Sequence, residues 1–292
     1  SENLFLCLMA KRFKPSIITV SSVNNPDYMI QTSDQGVEGV DTIVENTKAS
    51  RGLICIKEHT AKTLGLFDGQ KLSSSASVKI LPNVYPMGDE ISLIYEATGR
   101  QVKAGALPIS VGIIVYNVET VLNIREAVRH RIAVTHKWLT IGGNIEKSYV
   151  VRVPVGTYVK ELFEKLGISV PDDNVVIDGG PAMGKIIDPD TAAVTKTTKG
   201  LLILPERLPI IMSKMTSLET QLRRGSSACC QCTRCTDLCP RHELGYPLEP
   251  HLSESRRGLK MLTRKFSRRR LFAAVAEYAS TRRAVRDFLR AR

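Results

Sequence analysis

The chain has 292 residues, enough for two domains that each bury a core, so disulfide staples are not needed for stability. Hydrophobic residues make up 43% and charged residues 24%, which excludes a disordered, collagen-like or low-complexity protein. The net charge of +12 is concentrated: residues 253–292 hold thirteen Lys or Arg against three acids, so the first 252 residues are nearly neutral and overall basicity does not make nucleic acid an expected partner.

In chain order, residues 1–33 mix short apolar runs with Pro15 and Pro26 and show no clear period. The apolar stretch at 4–10 is too short and lacks the basic flank of a signal peptide, and Ser1 in place of Met suggests a processed or partial chain. Residues 35–48 place Val37, Val40, Ile43 and Val44 on one helical face. Leu53–Ile56 and Val78–Leu81 are strands separated by a Gly/Ser/Asp loop, and Cys55 in the first is expected to be a buried, inert thiol. A helix is predicted over 89–98, ending at Gly99, then a strand at Val111–Tyr116 and a helix at Val118–Val128. Strands alternating with helices predict an α/β layer.

The pattern changes after about residue 133. Val134–Ile141 and Tyr149–Val153 alternate and join through Gly142-Gly143-Asn144, a hairpin signal. A short helix at 156–166 and a strand at Val175–Ile177 complete the order strand, strand, helix, strand of a small β-grasp module over 134–190. Asp178-Gly-Gly-Pro-Ala-Met-Gly184 is expected to be a tight turn, because its spacing is not that of a phosphate loop and no long helix follows. Residues 191–216 read as a linker with one further strand at Leu201–Leu204. No apolar stretch approaches the ~18 residues of a membrane-spanning helix.

Five of the seven cysteines fall within eleven residues. Four of them form Cys229-x-x-Cys232-x-x-Cys235-x-x-x-Cys239-Pro240 over the region 217–252. Thiolates at i, i+3 and i+6 can wrap the chain around one cubane, and the Cys-Pro that follows is directed elsewhere; in two-cluster ferredoxins it serves the second cluster. Structural zinc instead pairs knuckles separated by a dozen or more residues. The spacing therefore predicts a 4Fe–4S cluster in a reducing compartment, held by Cys229, Cys232 and Cys235. The fourth ligand is left open between Cys239, Cys230 and another chain. His242 and His251 flank the motif and either tune it through hydrogen bonds or sit solvated at the surface. The segment 253–292 has Leu271, Phe272, Val275, Tyr278, Val285, Phe288 and Leu289 mostly on one helical face among arginines. It suits an anionic membrane or nucleic acid, the body of the protein, or sequence standing in for a further cluster region.

The run Cys235-Thr-Asp-Leu-Cys-Pro-Arg-His-Glu-Leu-Gly-Tyr-Pro-Leu-Glu-Pro-His251 resembles the cluster region of the cobalamin-reductase family of propanediol-utilisation microcompartments and, more loosely, the RnfC subunits of ion-translocating electron-transport complexes. Tyr85-Pro-Met-Gly-Asp-Glu90 and Asn117-Val-Glu-Thr120 are similar to segments of the NADH-binding flavoprotein subunit of complex I. The module after Val134 resembles the soluble-ligand-binding β-grasp domain of the same families. The resemblance covers residues 34–252. It implies a Rossmann-like flavoprotein layer over 34–133, then the β-grasp module, a ferredoxin-like cysteine region and a basic helical tail, with 1–33 divergent. It also implies FMN near Tyr85, Gly88, Glu90, Asn117 and Thr120, and NADH as donor. The implied partners are electron-transfer proteins: a corrinoid enzyme, a microcompartment or an Rnf-type membrane complex. The implied setting is cytoplasmic, with the chain as a peripheral subunit. The family's Gly-rich flavin loop and its second cysteine motif are not found in this sequence. That leaves a second reading, a non-catalytic β-grasp scaffold that binds a ligand or partner beside a degenerate flavin site.

Overall fold

Near-continuous apolar strands joined through helices can pair their backbones only as a parallel sheet covered on both faces. The computed structural model, which describes residues 15–21 and 26–253, has that arrangement in its first half. One compact unit runs to Val134 and takes back Leu244–Pro247; the other runs from Thr135 to Glu243 and resumes at Leu248.

The first unit is built on a four-stranded sheet of β1 (Ile17–Ser21), β2 (Arg51–Lys57), β3 (Ala76–Leu81) and β4 (Ile113–Asn117), ordered β3-β2-β1-β4 and parallel throughout. β1 lies inside the segment expected to be divergent. It is nonetheless a central strand, with Ile17, Ile18, Thr19 and Val20 all buried, and Ile17 pairs with both Arg51 and Ile113. A five-residue strand gives no usable period, which is why the sequence left it unassigned.

Helix α1 (Pro26–Thr47) covers one face of this sheet; Gly52 lets it come close to β2, and Gly39 lets it come close to the helix that begins at Val118. A Cβ on Gly52 would sit 2.1 Å from Val40 Cγ1, and one on Gly39 2.7 Å from Val121 Cγ1. Helix α2 (Glu58–Leu64) was not expected from the sequence; it occupies the β2–β3 connection and ends at left-handed Gly65. Helix α3 (Glu90–Thr98) covers the other face. Asp89 caps it by accepting from Ser92 N at 3.2 Å, and Gly99 ends it at φ 68°. Its Ile91, Leu93 and Ile94 pack with Ile17, Leu53, Cys55, Leu81 and Ile113. Helix α4 (Val118–Arg125) stops short of Val128, because residues 126–130 widen into a π-helical turn that closes at left-handed Arg131. Tyr246 completes the core from far along the chain, its hydroxyl donating to Val102 O at 2.6 Å.

Burial pushes the Cys55 thiol up to about 12 from 9.0. The folded state therefore holds a neutral thiol while the unfolded chain ionises above about pH 9. Stability tied to this group is complete below that value. It declines by about 1.4 kcal/mol per pH unit as pH rises from there toward the folded value. Urea midpoints measured between pH 8 and pH 11 are expected to fall more steeply for the wild type than for Cys55→Ala. Parallel curves would refute this.

In the second unit β5 (His136–Gly143) and β6 (Tyr149–Pro154) form the antiparallel hairpin, and α5 (Val159–Leu166) buries Val159, Leu162 and Phe163. β7 (Asn174–Asp178), β8 (Lys185–Ile187) and β9 (Gly200–Pro205) complete a five-stranded sheet ordered β6-β5-β9-β7-β8. β9 was read as part of a linker beyond residue 190. It is the middle strand, parallel to β5 and antiparallel to β7, with Leu201 and Ile203 in the core, so the β-grasp sheet extends to Pro205. The 178–184 segment is a turn between β7 and β8, its Ala182 and Gly184 carbonyls each accepting from Lys214 Nζ at 2.8 Å. Lys214 lies on α6 (Pro209–Met215), a helix the sequence reading did not include. Then follow α7 (Leu218–Ala228), α8 (Arg234–Asp237), α9 (Pro240–Glu243) and α10 (Pro250–Ser253). From residue 254 the basic tail lies outside the described residues, as does Cys7. Among the described residues no helix is long and apolar enough to cross a membrane.

Candidate functional site

In the first unit the chain steps outward from β1 to β2 and β3, then returns to place β4 on the other side of β1. This reversal is a topological switch point. In parallel sheets a ligand crevice opens there, beyond the carboxyl ends of the strands, where helix N-termini favour anionic groups. Ser21 and Asn117 are the register partners at that edge.

Asn117 ends β4 and caps α4, its Oδ1 accepting from Glu119 N at 3.1 Å. Thr120 follows in the first helical turn, half-buried. Glu119 between them is only 3% exposed, a buried acid at a helix N-terminus that the sequence reading passed over. Tyr85, Gly88 and Glu90 lie after β3, all exposed. Tyr85 and Gly88 sit in a turn in which Met87 N donates to Val84 O at 3.1 Å and Asp89 N to Pro86 O at 2.7 Å, and Glu90 opens α3. Both groups thus follow the carboxyl ends of strands, but β2 and β1 stand between their two strands. Asp89 was also missed; an Asp just before an apolar helical run is the signal that could have found it.

In the second unit Cys229 closes α7, and the thiol segment runs from there to Pro240. Gln231 and Thr233 are both left-handed, at φ 56° and 60°, and bracket Cys232 at an exposed bend. Left-handed residues in such a bend turn backbone N–H groups inward, a concavity suited to anions and sulfur clusters. The Cys232 thiol is held below its ordinary value by the Arg234 backbone N–H, with a hydrogen bond from Cys230 adding to it. Cys235 and Cys239 lie in and just after α8, both half-buried; Cys239 N donates to Thr236 O at 3.0 Å. His251 is half-buried and hydrogen-bonded through Nδ1 to the buried Thr236 hydroxyl at 2.7 Å, and His242 Nδ1 lies 3.0 Å from Leu248 O.

Cys229, Cys230, Cys232, Cys235 and Cys239 are all free thiols. In chemistry this donor set fits an iron–sulfur cluster. Among the described residues no three His, Cys, Asp or Glu side chains are gathered to hold a metal ion.

Residues 21–126 match the Nuo51 FMN-binding domain family. Cobalamin reductase PduS of Salmonella typhimurium is 42% identical over 224 residues, which is 77% of this chain and 49% of that protein. The chain is a homologue of the PduS/RnfC family. The RnfC-type component of the proton-translocating ferredoxin:NAD(+) oxidoreductase complex of Clostridium ljungdahlii is 30% identical over 74% of this chain and 45% of its own length. The chain thus spans about half the length of these PduS and RnfC relatives. In fold it is similar to the NAD+-reducing [NiFe]-hydrogenase in its H2-reduced state, with a TM-score of 0.56 and 13% identity, over 89% of this chain and 54% of that one. The FMN-binding match begins at residue 21, ahead of residue 34, where the flavoprotein-like layer was expected to start.

Proposed function

We propose that this chain is an electron-transfer subunit of the flavin and iron–sulfur type. In this reading FMN lies at the carboxyl edge of the parallel sheet and a 4Fe–4S cluster lies on the cysteine segment. One observation carries it: the same chain holds both an FMN-binding match and four thiols at ferredoxin spacing.

When bound, the flavin would supply exchange between two-electron and one-electron chemistry, and the cluster one-electron transfer. The protein's part is to hold and insulate. Asn117 and Thr120 at the start of α4 would meet polar atoms of the flavin, and Tyr85, Gly88 and Glu90 would border the side from which a nicotinamide donor approaches. Cys229, Cys232 and Cys235 would supply three thiolates, with Cys239 the fourth candidate. NADH is the proposed donor. The acceptor would be a corrinoid-type protein or an ion-translocating membrane complex with the chain at its periphery, in keeping with the names of its relatives.

The test is anaerobic reconstitution with iron and sulfide, followed by titration with FMN. Iron and sulfide in equal amounts, broad visible absorbance and quenched flavin fluorescence are expected. Stoichiometric zinc without sulfide would sink the cluster assignment. A chain that takes up a cluster but does not quench FMN would instead favour the scaffold reading.

A further inference from the structure

The cysteine segment carries a hydrogen-bond relay that ligand spacing does not require. Gln231 Nε2 donates to Cys229 Sγ at 3.1 Å and is also 3.3 Å from His251 O. His251 is in turn fixed to Thr236, a residue only 5% exposed, through Nδ1 at 2.7 Å and its backbone N–H at 3.5 Å. Gln231 has a left-handed backbone, a conformation that glycine adopts freely and glutamine does at a cost. Here that backbone carries a side chain whose amide spans from a thiol to the segment twenty residues on.

We propose that Gln231 is a positioning residue that sets the reduction potential of the cluster through Cys229, and that the Thr236–His251 pair holds its amide in place. The inference rests on the cluster reading above. Reduction adds negative charge to the cluster and its sulfurs. An N–H aimed at a ligand sulfur stabilises the more negative form and raises the potential. Anchoring the same amide to a backbone carbonyl limits its rotation, so the donor stays on the sulfur rather than turning to water.

The variants Gln231→Gly and Gln231→Glu separate side chain from backbone. Glycine keeps the left-handed turn without strain and deletes the donor. Glutamate keeps the length and replaces the donor with negative charge. After anaerobic reconstitution both are expected to hold as much iron and sulfide as the wild type. Their midpoint potentials, from EPR-monitored redox titration, are expected to be more negative, Gln231→Glu more so. Thr236→Val should shift the potential in the same direction by less, and Thr236→Ser should restore it. A wild-type cluster with an unchanged potential in Gln231→Gly would overturn this inference alone, as would loss of iron from that variant. Failure of the wild type to take up iron and sulfide would overturn the cluster reading and this inference with it.

Discussion

Cys232→Ala is expected to abolish cluster uptake during anaerobic reconstitution, whereas Cys239→Ala retains most of the iron and sulfide. Cys232 sits at the exposed bend between two left-handed residues, with its thiolate favoured by the Arg234 N–H. It is the middle sulfur of the i, i+3, i+6 set, so no neighbouring cysteine can take its place without moving the loop. Cys239 is held differently. Its N–H is bonded to Thr236 O at 3.0 Å, its carbonyl accepts from Glu243 N at 3.0 Å, and Pro240 starts the next helix. Its backbone is thus committed to local helical bonds, and its sulfur is expected to contribute least to the cubane. The site is therefore expected to hold its corner iron weakly and to give a three-iron form in air. Iron and sulfide counts with EPR decide this. Equal loss in both variants, or iron near eight per chain on a reconstituted wild type, would show a different ligand assignment.

Gly143→Ala is expected to destabilise the β-grasp unit by about 3–5 kcal/mol, the sum of backbone strain and forced displacement of a neighbour. Gly143 lies at φ 109°, where an L side chain is strained, and an added Cβ would lie 2.1 Å from the carbonyl oxygen of Ile203. That oxygen belongs to β9, the middle strand, and accepts from Asn144 N at 2.7 Å, so it cannot retreat without loss of a backbone bond. Gly156→Ala is a useful companion. Its φ of 96° is similarly strained, but nothing lies within 4 Å of the added Cβ, so only the strain component should remain. Chemical denaturation followed by the fluorescence of Trp138 on β5 measures both. Equal losses in the two variants would remove steric contact with β9 as the cause.

These two positions also mark how far the sequence could be read. The pair Gly142-Gly143 signalled the hairpin, and the hairpin is there, but both glycines are the last residues of β5, paired with Leu202 and Ile203 of β9, and the connection to β6 comes after them. That Gly143 must be glycine because β9 passes beside it depends on a strand sixty residues later, and no local pattern carries that information. The cysteine motif was legible because ligand spacing is a covalent property of the chain. Asn117 and Thr120 were legible as a short similar segment, but their place beside β1 follows from the strand order β3-β2-β1-β4.

The sequence by itself determined the alternation of strand and helix in the first unit, the hairpin and helix of the second, the buried thiol at Cys55 and the four spaced thiols. Each rests on residue type and period over a few turns, where hydrophobic patterning and glycine chemistry act locally. The tertiary structure alone decided that Ile17–Ser21 and Gly200–Pro205 are central strands, and that Tyr246 reaches back to Val102. It alone placed an amide from Gln231 on Cys229. Short buried strands are apolar without a period, so only their partners identify them, and a hydrogen bond between side chains depends on backbone angles that composition does not encode.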